Sequence, residues 1–237
     1  MERLQKRIAE TGLCSRRMAE EWIKKGRISV NGDLVTEFGT KVSPDDQILV
    51  DGRPLPAASK LVTLMLNKPR GVLSSRFDPH HESTVMNLLP SHLRHLKPVG
   101  RLDIDSEGLL LLSSDGQLIQ ELTHPRFEHK KTYKVLIKRT PSPSELSMMR
   151  EGNLQLDGYQ LKPMKVSILK ETQEGTWLKM ILGEGRNRQI RRVLEMLGHP
   201  VVRLKRIALG NLNLGTLALG SHKILTDSEL EAAFAQA

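Results

Sequence analysis

Gly100-Arg101-Leu102-Asp103-Ile104-Asp105-Ser106-Glu107-Gly108, followed by four leucines and Ser113-Ser114-Asp115-Gly116, is the stretch that decides the fold of this chain. The leucine run is apolar enough to predict a buried strand, and Asp115-Gly116 is a turn signal at its end. Asp103 therefore stands at the edge of a core, just before a strand. Arg101, two residues away, is a positive charge that favours the ionised carboxylate.

Asp103 has two other interpretations. An aspartate in a loop before a strand commonly hydrogen-bonds its own backbone. Asp103, Asp105, Glu107 and Gly108 also fall on positions 1, 3, 5 and 6 of an EF-hand calcium loop. Position 12 of that loop requires a bidentate glutamate, and Ser114 occupies it here. Because leucines also stand where oxygen donors should be, the calcium interpretation fails.

The composition restricts the class of protein. The chain has 237 residues and a net charge of +9, which allows one or two domains and favours a polyanionic partner, nucleic acid or an anionic membrane. A single cysteine, Cys14, excludes an internal disulfide and an all-cysteine zinc site. The chain has neither an apolar run long enough to span a bilayer nor an apolar signal-peptide core at its start. These features predict a soluble, cytoplasmic protein.

Residues 1–53 read as a small domain of two helices and a hairpin sheet. Residues 2–11 predict the first helix, and Ser15 is a suitable N-cap for the second, which Gly26 ends. Asn31-Gly32 is a strong hairpin signal, and a further strand is predicted at 47–50. The apolar stripe of the second helix is predicted from its spacing to be Met18, Ala19, Trp22 and Ile23.

The cations of this first domain are concentrated. A solvated charged face is the ordinary use of helical lysine and arginine, but Glu10, Glu20 and Glu21 offset only part of this charge. We therefore expect the domain to contact the backbone of a nucleic acid, which gives affinity and position rather than sequence choice. The cations are Arg3, Lys6, Arg7, Arg16, Arg17, Lys24, Lys25 and Arg27.

Residues 54–60, with two prolines and small side chains, predict a linker, and residues 61–237 a second domain. Its first strand is predicted at 61–66 and leads into a basic turn with Lys68 and Arg70. Histidines at positions 80, 81, 92 and 95 raise the possibility of a metal site, but no cysteine or acidic cluster accompanies them at ligand spacing. No metal is therefore predicted.

Two later segments carry further candidates. Residues 130–137 predict a strand that contains Tyr133, and tyrosine in a strand is usually core or a cross-strand partner. Residues 186–198 predict a helix with an apolar stripe of Ile190, Val193, Leu194 and Leu197 and with arginines on the opposite side. Surface ion pairs with Glu195 are the ordinary interpretation of Arg191 and Arg192. The arginines at 186, 188, 191 and 192 nevertheless exceed what one glutamate pairs, which indicates an anionic partner.

Four motifs of the second domain closely resemble those of the pseudouridine synthases that act on ribosomal RNA. They occur in the family's order, at residues 68–71, 100–108, 131–133 and 188–191. Residues 12–17 and 26–32 resemble the small alpha-L RNA-binding domain first seen in a small-subunit ribosomal protein. The subgroup that joins these two domains matches best, and the match favours members that modify the large subunit.

This resemblance implies an α/β (α+β) fold, with a small N-terminal alpha-L domain and a synthase domain. The synthase domain is expected to contain a long mixed, mainly antiparallel sheet flanked by helices, and the Asn-Gly and Asp-Gly signals agree with antiparallel strands. The implied reaction is isomerisation of uridine to pseudouridine within RNA, with no redox change and no cofactor. The glycosidic bond breaks, the uracil rotates, and a carbon–carbon bond to the ribose forms.

The resemblance also implies roles for individual residues. Asp103 is expected to be the catalytic residue, as nucleophile or general base, and Tyr133 to lie against the flipped uracil. Arg191 is expected to pair with Asp103, with Arg188 as the second choice. Other expected substrate contacts are Arg101, Leu204, Arg188, Lys68, Arg70 and Arg186. The expected RNA-binding residues of the first domain are Arg3, Lys6, Arg16, Arg17, Lys24, Lys25 and Arg27.

The expected partner is ribosomal RNA or a ribosomal precursor particle, and a monomer is expected because no coiled-coil heptad is present. A non-enzymatic RNA-binding or ribosome-assembly factor fits the composition and the first domain equally well. It does not explain an acidic residue among so many cations. A DNA-binding protein is the third alternative, but neither a helix-turn-helix nor a zinc-finger pattern is present.

Overall fold

The computed structural model describes residues 1–57 and 60–234, so positions 58 and 59 of the predicted linker lie outside the described residues. The chain divides into two compact units, Met1–Lys60 and Leu61–Ala237. No helix among the described residues has both the length and the apolar character needed to cross a bilayer.

The first unit packs two helices on two small antiparallel sheets, one of four strands and one of two. Ser15 caps the second helix by accepting a hydrogen bond from the Met18 amide at 3.2 Å, as predicted. Asn31 and Gly32 both have positive φ and turn the predicted hairpin. Its elements are β1 (Glu2–Arg3), α1 (Leu4–Glu10), α2 (Arg16–Lys24), β2 (Ile28–Val30), β3 (Asp33–Val35), β4 (Lys41–Val42), β5 (Ile48–Val50) and β6 (Arg53–Pro54).

The core of the first unit corrects one detail of the predicted stripe. Ala19 and Ile23 of α2 are buried with Leu4 and Ile8 of α1. Met18 is 47% exposed and lies outside this core.

The second unit is built on one large sheet. The strands of the second unit, of which β11 and β12 form a separate pair, are β7 (Thr63–Lys68), β8 (Lys97–Val99), β9 (Glu107–Ser113), β10 (Lys131–Ile137), β11 (Gln155–Leu156), β12 (Tyr159–Gln160), β13 (Lys165–Thr172), β14 (Gly175–Leu182), β15 (Val201–Leu209), β16 (Leu212–Asn213) and β17 (His222–Ile224). Its α-helices are α3 (Gly116–Thr123), α4 (Pro143–Glu151), α5 (Gln189–Met196) and α6 (Asp227–Phe234). Short 3-10 helices lie at Val85–Leu88, Ser91–Leu93 and Pro125–Phe127.

The large sheet has nine strands among the described residues, in the order β13-β14-β10-β15-β9-β7-β17, with β16 beside β15 and β8 beside β9. The β9–β15 pair is parallel and the other described pairs are antiparallel. The predicted mixed, mainly antiparallel sheet with flanking helices is therefore confirmed.

The parallel pair depends on Gly108. This residue has a φ of 105°, and a Cβ built there would lie 2.2 Å from the carbonyl oxygen of Arg206. Only a residue without a side chain allows the two strands to approach so closely. The approach fixes the start of β9, and with it the loop that carries Asp103.

The Asp115-Gly116 signal at the end of β9 was interpreted incorrectly. It forms no hairpin turn. Asp115 caps α3 instead, and its carboxylate accepts hydrogen bonds from the amides of Gln117 at 2.8 Å and Leu118 at 3.1 Å. A short acidic side chain that bonds nearby amides favours tight turns and helix starts alike.

Candidate active site

A cavity of about 670 Å³ opens in the second unit. It lies between the loop before β9, the face of β10 and β15, and the loop before α5. The expected site residues that line it are Arg101, Asp103, Tyr133, Arg186, Arg188 and Leu204.

Hydrogen bonds hold the loop that carries Asp103. The Ser74 hydroxyl bonds both backbone groups of Leu102, at 2.8 and 3.1 Å, and the Gly71 amide donates to the Ile104 carbonyl at 2.7 Å. The Ser106 amide closes a turn onto the Asp103 carbonyl at 3.0 Å. Because the backbone is fixed on both sides, the Asp103 side chain, 28% exposed, has a defined position at the cavity wall.

Arg188 and Arg191 form their close ion pairs with Asp105 rather than with Asp103. Arg188 donates two hydrogen bonds to the Asp105 carboxylate, at 3.1 and 2.9 Å, and Arg191 Nε lies 3.2 Å from it. Arg188 reaches Asp103 only at 4.0 Å. Burial alone would raise the pKa of Asp105, but the hydrogen bonds from Arg188 and the charge of Arg191 outweigh it, and the pKa is lowered.

Arg191 therefore differs from its expected position. It pairs with Asp105 instead of Asp103, and its side chain is buried rather than on the outer face of α5. Its guanidinium also donates to the Asp105 carbonyl at 2.8 Å and to the Ser106 hydroxyl at 3.3 Å. Burial lowers the pKa of Arg191 and Asp105 opposes that effect. Helical spacing alone gave the wrong face because Asp105, far away in sequence, attracts Arg191 inward.

The loop before α5 directs Arg188 and Arg186 into the cavity. Arg188 has a φ of 48°, an uncommon conformation for a residue with a side chain, and it precedes the first turn of the helix. The Arg186 guanidinium stacks 3.1 Å from the ring centre of Tyr159. Glu184 organises the loop by accepting a hydrogen bond from Gln189 at 2.8 Å.

The basic turn after β7 contributes a buried cation beneath the site. Lys68 is fully buried and donates to the carbonyls of Pro69 and Ser106, both at 2.9 Å. Burial lowers its pKa to about 8, against the opposing charges of Asp103, Asp105 and Glu107. Lys68 thus lies under the loop and not on the cavity wall, while Arg70 is exposed on the turn.

Tyr133 and Leu204 provide an apolar wall. Tyr133 is half-buried between two hydrophobic clusters and stands opposite Arg206 in the β10–β15 ladder. Leu204 pairs with Val135 on the same two strands and is almost fully buried. Tyr133 and Asp103 thus line the same cavity, and an aromatic ring is a surface on which a planar ligand can stack.

Sequence reasoning missed several residues of the cavity. Asp105 was considered only as a calcium ligand, although it is the second carboxylate of the opening stretch. Lys131 and Arg206 line the cavity and were assigned no role of their own. Lys131 falls in the predicted strand at 130–137, but a single strand gives no information about which residues of its neighbours it faces.

The cations of the first unit fall into two groups. Lys6 pairs with Glu2 at 3.1 Å and Glu10 at 3.4 Å, while Arg27 pairs with Asp51 and packs over the Trp22 ring. Other expected RNA contacts are exposed and form no ion pair with a described residue; they are Arg3, Arg16, Arg17, Lys24 and Lys25. Across the described residues, no group of three or more His, Cys, Asp or Glu is arranged to hold a metal ion.

Comparisons with known proteins agree with this geometry. The family model for RNA pseudouridylate synthase matches residues 62–196, and the S4 domain model matches residues 2–48. The chain is 41% identical over 233 residues to ribosomal large subunit pseudouridine synthase B of Bacillus subtilis, which covers 98% of this chain and 95% of the relative. An uncharacterized RNA pseudouridine synthase of Aquifex aeolicus is 37% identical, with 98% and 93% covered.

A comparison with solved structures points to the same family as the sequence comparison. A crystal structure of a pseudouridylate synthase superposes with a TM-score of 0.68 at 31% identity and covers 98% of this chain and 99% of its own. Sequence and fold therefore agree over nearly the whole length. The chain belongs to the RNA pseudouridylate synthase family, isomerases that act on RNA, and carries an S4 domain at its N-terminal end.

Proposed function

We propose that this protein converts a specific uridine of ribosomal RNA, in the large subunit, to pseudouridine. The observation that carries the proposal is the position of Asp103 in the wall of a cavity that Tyr133 and Leu204 also line. The likeness to the Bacillus subtilis large-subunit enzyme supports the choice of RNA.

In the proposed reaction, the target uridine leaves its helix and its uracil lies against Tyr133, with Leu204 as a second apolar contact in the same wall. The bond between the ribose C1′ and the uracil N1 breaks, the base rotates, and C1′ bonds to C5. N1 gains a proton and C5 loses one, so the product is an isomer of the substrate. Asp103 acts either as nucleophile or as general base, and both roles require its ionised form.

Positive charge is concentrated around the loop that carries Asp103. Arg188 and Arg191 are mainly neutralised by Asp105, but Arg188 also lies 4.0 Å from Asp103. The ammonium of Lys68 adds a buried positive charge beneath the same loop.

The first unit is proposed to hold the RNA backbone outside the site. Its exposed cations, Arg16, Arg17, Lys24 and Lys25 on and beside α2, are suited to phosphate contacts that give affinity without reading bases. Target choice would then depend on RNA shape and unpaired loops. The protein is proposed to act as a monomer in the cytoplasm, on ribosomal RNA or a precursor particle.

The test is pseudouridine mapping on unmodified large- and small-subunit ribosomal RNA, by carbodiimide treatment and primer extension. Wild type is expected to create a new stop in large-subunit RNA. Asp103→Asn, which keeps the size of the side chain and removes its charge, is expected to create none. Its affinity for the RNA should stay within about threefold of wild type, since no binding cation is removed.

Asp157→Asn is the matched control. This carboxylate is exposed, lies outside the cavity and pairs with Arg192, so its loss should leave the stop intact. Circular dichroism of each variant checks folding. A stop only in small-subunit RNA would overturn the large-subunit assignment. Tight binding without a stop in either RNA would favour the assembly-factor alternative.

A further inference from the structure

Lys131 and Arg206 form a second group of charges in the cavity, apart from the carboxylate loop. Lys131 is two residues before Tyr133 on β10, so the two side chains share a face of the strand. Arg206 on β15 stands opposite Tyr133 in the ladder, and all three residues line the cavity. The ring expected to stack on the uracil therefore has Lys131 next along its own strand face and Arg206 on the neighbouring strand.

Arg206 is buried without a compensating carboxylate among the described residues. It is 4% exposed, its Nε donates to the Leu109 carbonyl at 2.7 Å, and its Nη2 is buried without a hydrogen-bond partner in the described structure. The same strand shows the usual alternative, because Arg203 pairs with the buried Glu107 at 2.7 Å. A buried donor without a hydrogen-bond partner destabilises the folded protein. An anion bound in the cavity would accept that hydrogen bond and remove the penalty.

The two cations also repel each other. Burial lowers the pKa of Lys131, and the charge of Arg206 lowers it further. Glu184 opposes this only in part, and its carboxylate already accepts hydrogen bonds from Gln189 and from the Lys162 amide. The ammonium of Lys131 donates to the His129 carbonyl at 3.0 Å, which brings no negative charge.

We propose that Lys131 and Arg206 together bind one phosphodiester group of the substrate RNA, next to the target uridine. The inference rests on the proposed function. A flipped nucleotide carries its own phosphates into the cavity, and guanidinium and ammonium groups are the usual donors to phosphate oxygens. The two cations are thus positioning residues, which set the depth at which the uracil lies on Tyr133.

The first experiment measures filter binding of a large-subunit ribosomal RNA transcript over a range of salt concentrations. Lys131→Met is expected to weaken binding about tenfold, as for a lost charge-assisted hydrogen bond, and to reduce the slope of log affinity against log salt by about 0.7 to 0.9. Its melting temperature should be no lower than that of wild type, because one of two repelling buried cations is removed.

Lys134→Met is the matched control. Lys134 lies on the same strand, carries the same charge, is exposed and does not line the cavity. It should change affinity by less than about twofold, while Lys131→Arg should restore most of the affinity. Equal losses in both methionine variants, an unchanged slope in Lys131→Met, or a lower melting temperature in that variant would overturn the proposal.

The second experiment locates the phosphate. A short RNA around the mapped uridine is made with a single neutral methylphosphonate linkage on either side of it. One of the two neutral linkages should weaken binding to wild type about tenfold. The same linkage should weaken binding to Lys131→Met by less than twofold, because the phosphate charge that it removes no longer has the Lys131 ammonium as a partner. Equal effects on both proteins would overturn the pairing. Failure of wild type to form pseudouridine would instead contradict the proposed function.

Discussion

The exposed cations of the first unit and the buried cations of the second differ in what their donors contact. Arg16, Arg17 and Lys24 on α2 point to solvent and form no ion pair with a described residue. Lys68, Arg191 and Arg206 are buried, and each donates to at least one backbone carbonyl. The first group is free to contact phosphate, whereas the second binds mainly the protein's own backbone, and only Nη2 of Arg206 is left for the phosphate proposed above.

The carbonyls that receive the buried cations lie close together in sequence. Arg191 donates to the carbonyl of Asp105, and Lys68 donates to the carbonyl of Ser106. Arg206 donates to the carbonyl of Leu109. Three positive side chains from three elements thus bind three carbonyls within the segment 105–109, shortly after Asp103. These buried cations help to fix the loop that carries the Asp103 carboxylate. The exposed cations of the first unit have no such role.

Arg191→Met should have the largest effect. It removes a buried charge from beside Asp105 and a donor to the loop, so the free energy of unfolding should fall by about 3 to 5 kcal/mol. Pseudouridine formation should fall by more than tenfold. Urea denaturation and primer extension measure the two effects. Arg192→Met, at the adjacent half-exposed position, should change stability much less, and equal losses would contradict the distinction.

Lys68 should make stability depend on alkaline pH. Its folded pKa of about 8 lies below its ordinary value of 10.5, so between these values the unfolded chain binds a proton that the folded chain has lost. Stability therefore rises with pH in this window. Relative to Lys68→Met, wild type should gain about 2 kcal/mol of unfolding free energy between pH 7.5 and pH 10, measured by urea denaturation. A constant difference would show that Lys68 has an ordinary pKa.

Arg16→Ala combined with Arg17→Ala should have the smallest effect on the fold. Both side chains are exposed, so unfolding free energy should change by less than about 0.5 kcal/mol. RNA affinity should fall, and the slope of log affinity against log salt should decrease by about 1.5, measured by filter binding. Lys165→Ala with Lys170→Ala removes the same charge from β13, and an equal decrease there would indicate a general charge effect.

Local chemistry explains which parts of the fold were predictable. Ser15 caps a helix and Asn31-Gly32 turns a hairpin because both act on backbone groups a few residues away. Asp115-Gly116 was ambiguous for the same reason, since one side-chain acceptor serves a turn or a helix start. The capping box of Ser142 and Glu145 at the start of α4 is equally local, and its Ser-x-x-Glu spacing is visible in the sequence.

The site was less predictable because its contacts are long-range. Asp103 and Tyr133 were found through resemblance, and the structure brings both to one cavity. The partner of Arg191 depends on how α5 packs against the loop of Asp103 and Asp105. The helical period of the sequence gives no information about that packing. The pairing of Tyr133 with Arg206 depends on the register of β10 and β15, which also shifts beside Tyr133.

The parallel pairing of β9 with β15 has a consequence for the order of folding during synthesis. β9 ends at Ser113, but the strand against which Gly108 packs begins only at Val201. The loop of Asp103 can reach its final form only after almost the whole chain has left the ribosome. The hydrophobic core of the first unit, in contrast, lies within the first 55 residues. A nascent chain would thus complete its S4 domain early, while the centre of the large sheet closes among the last events.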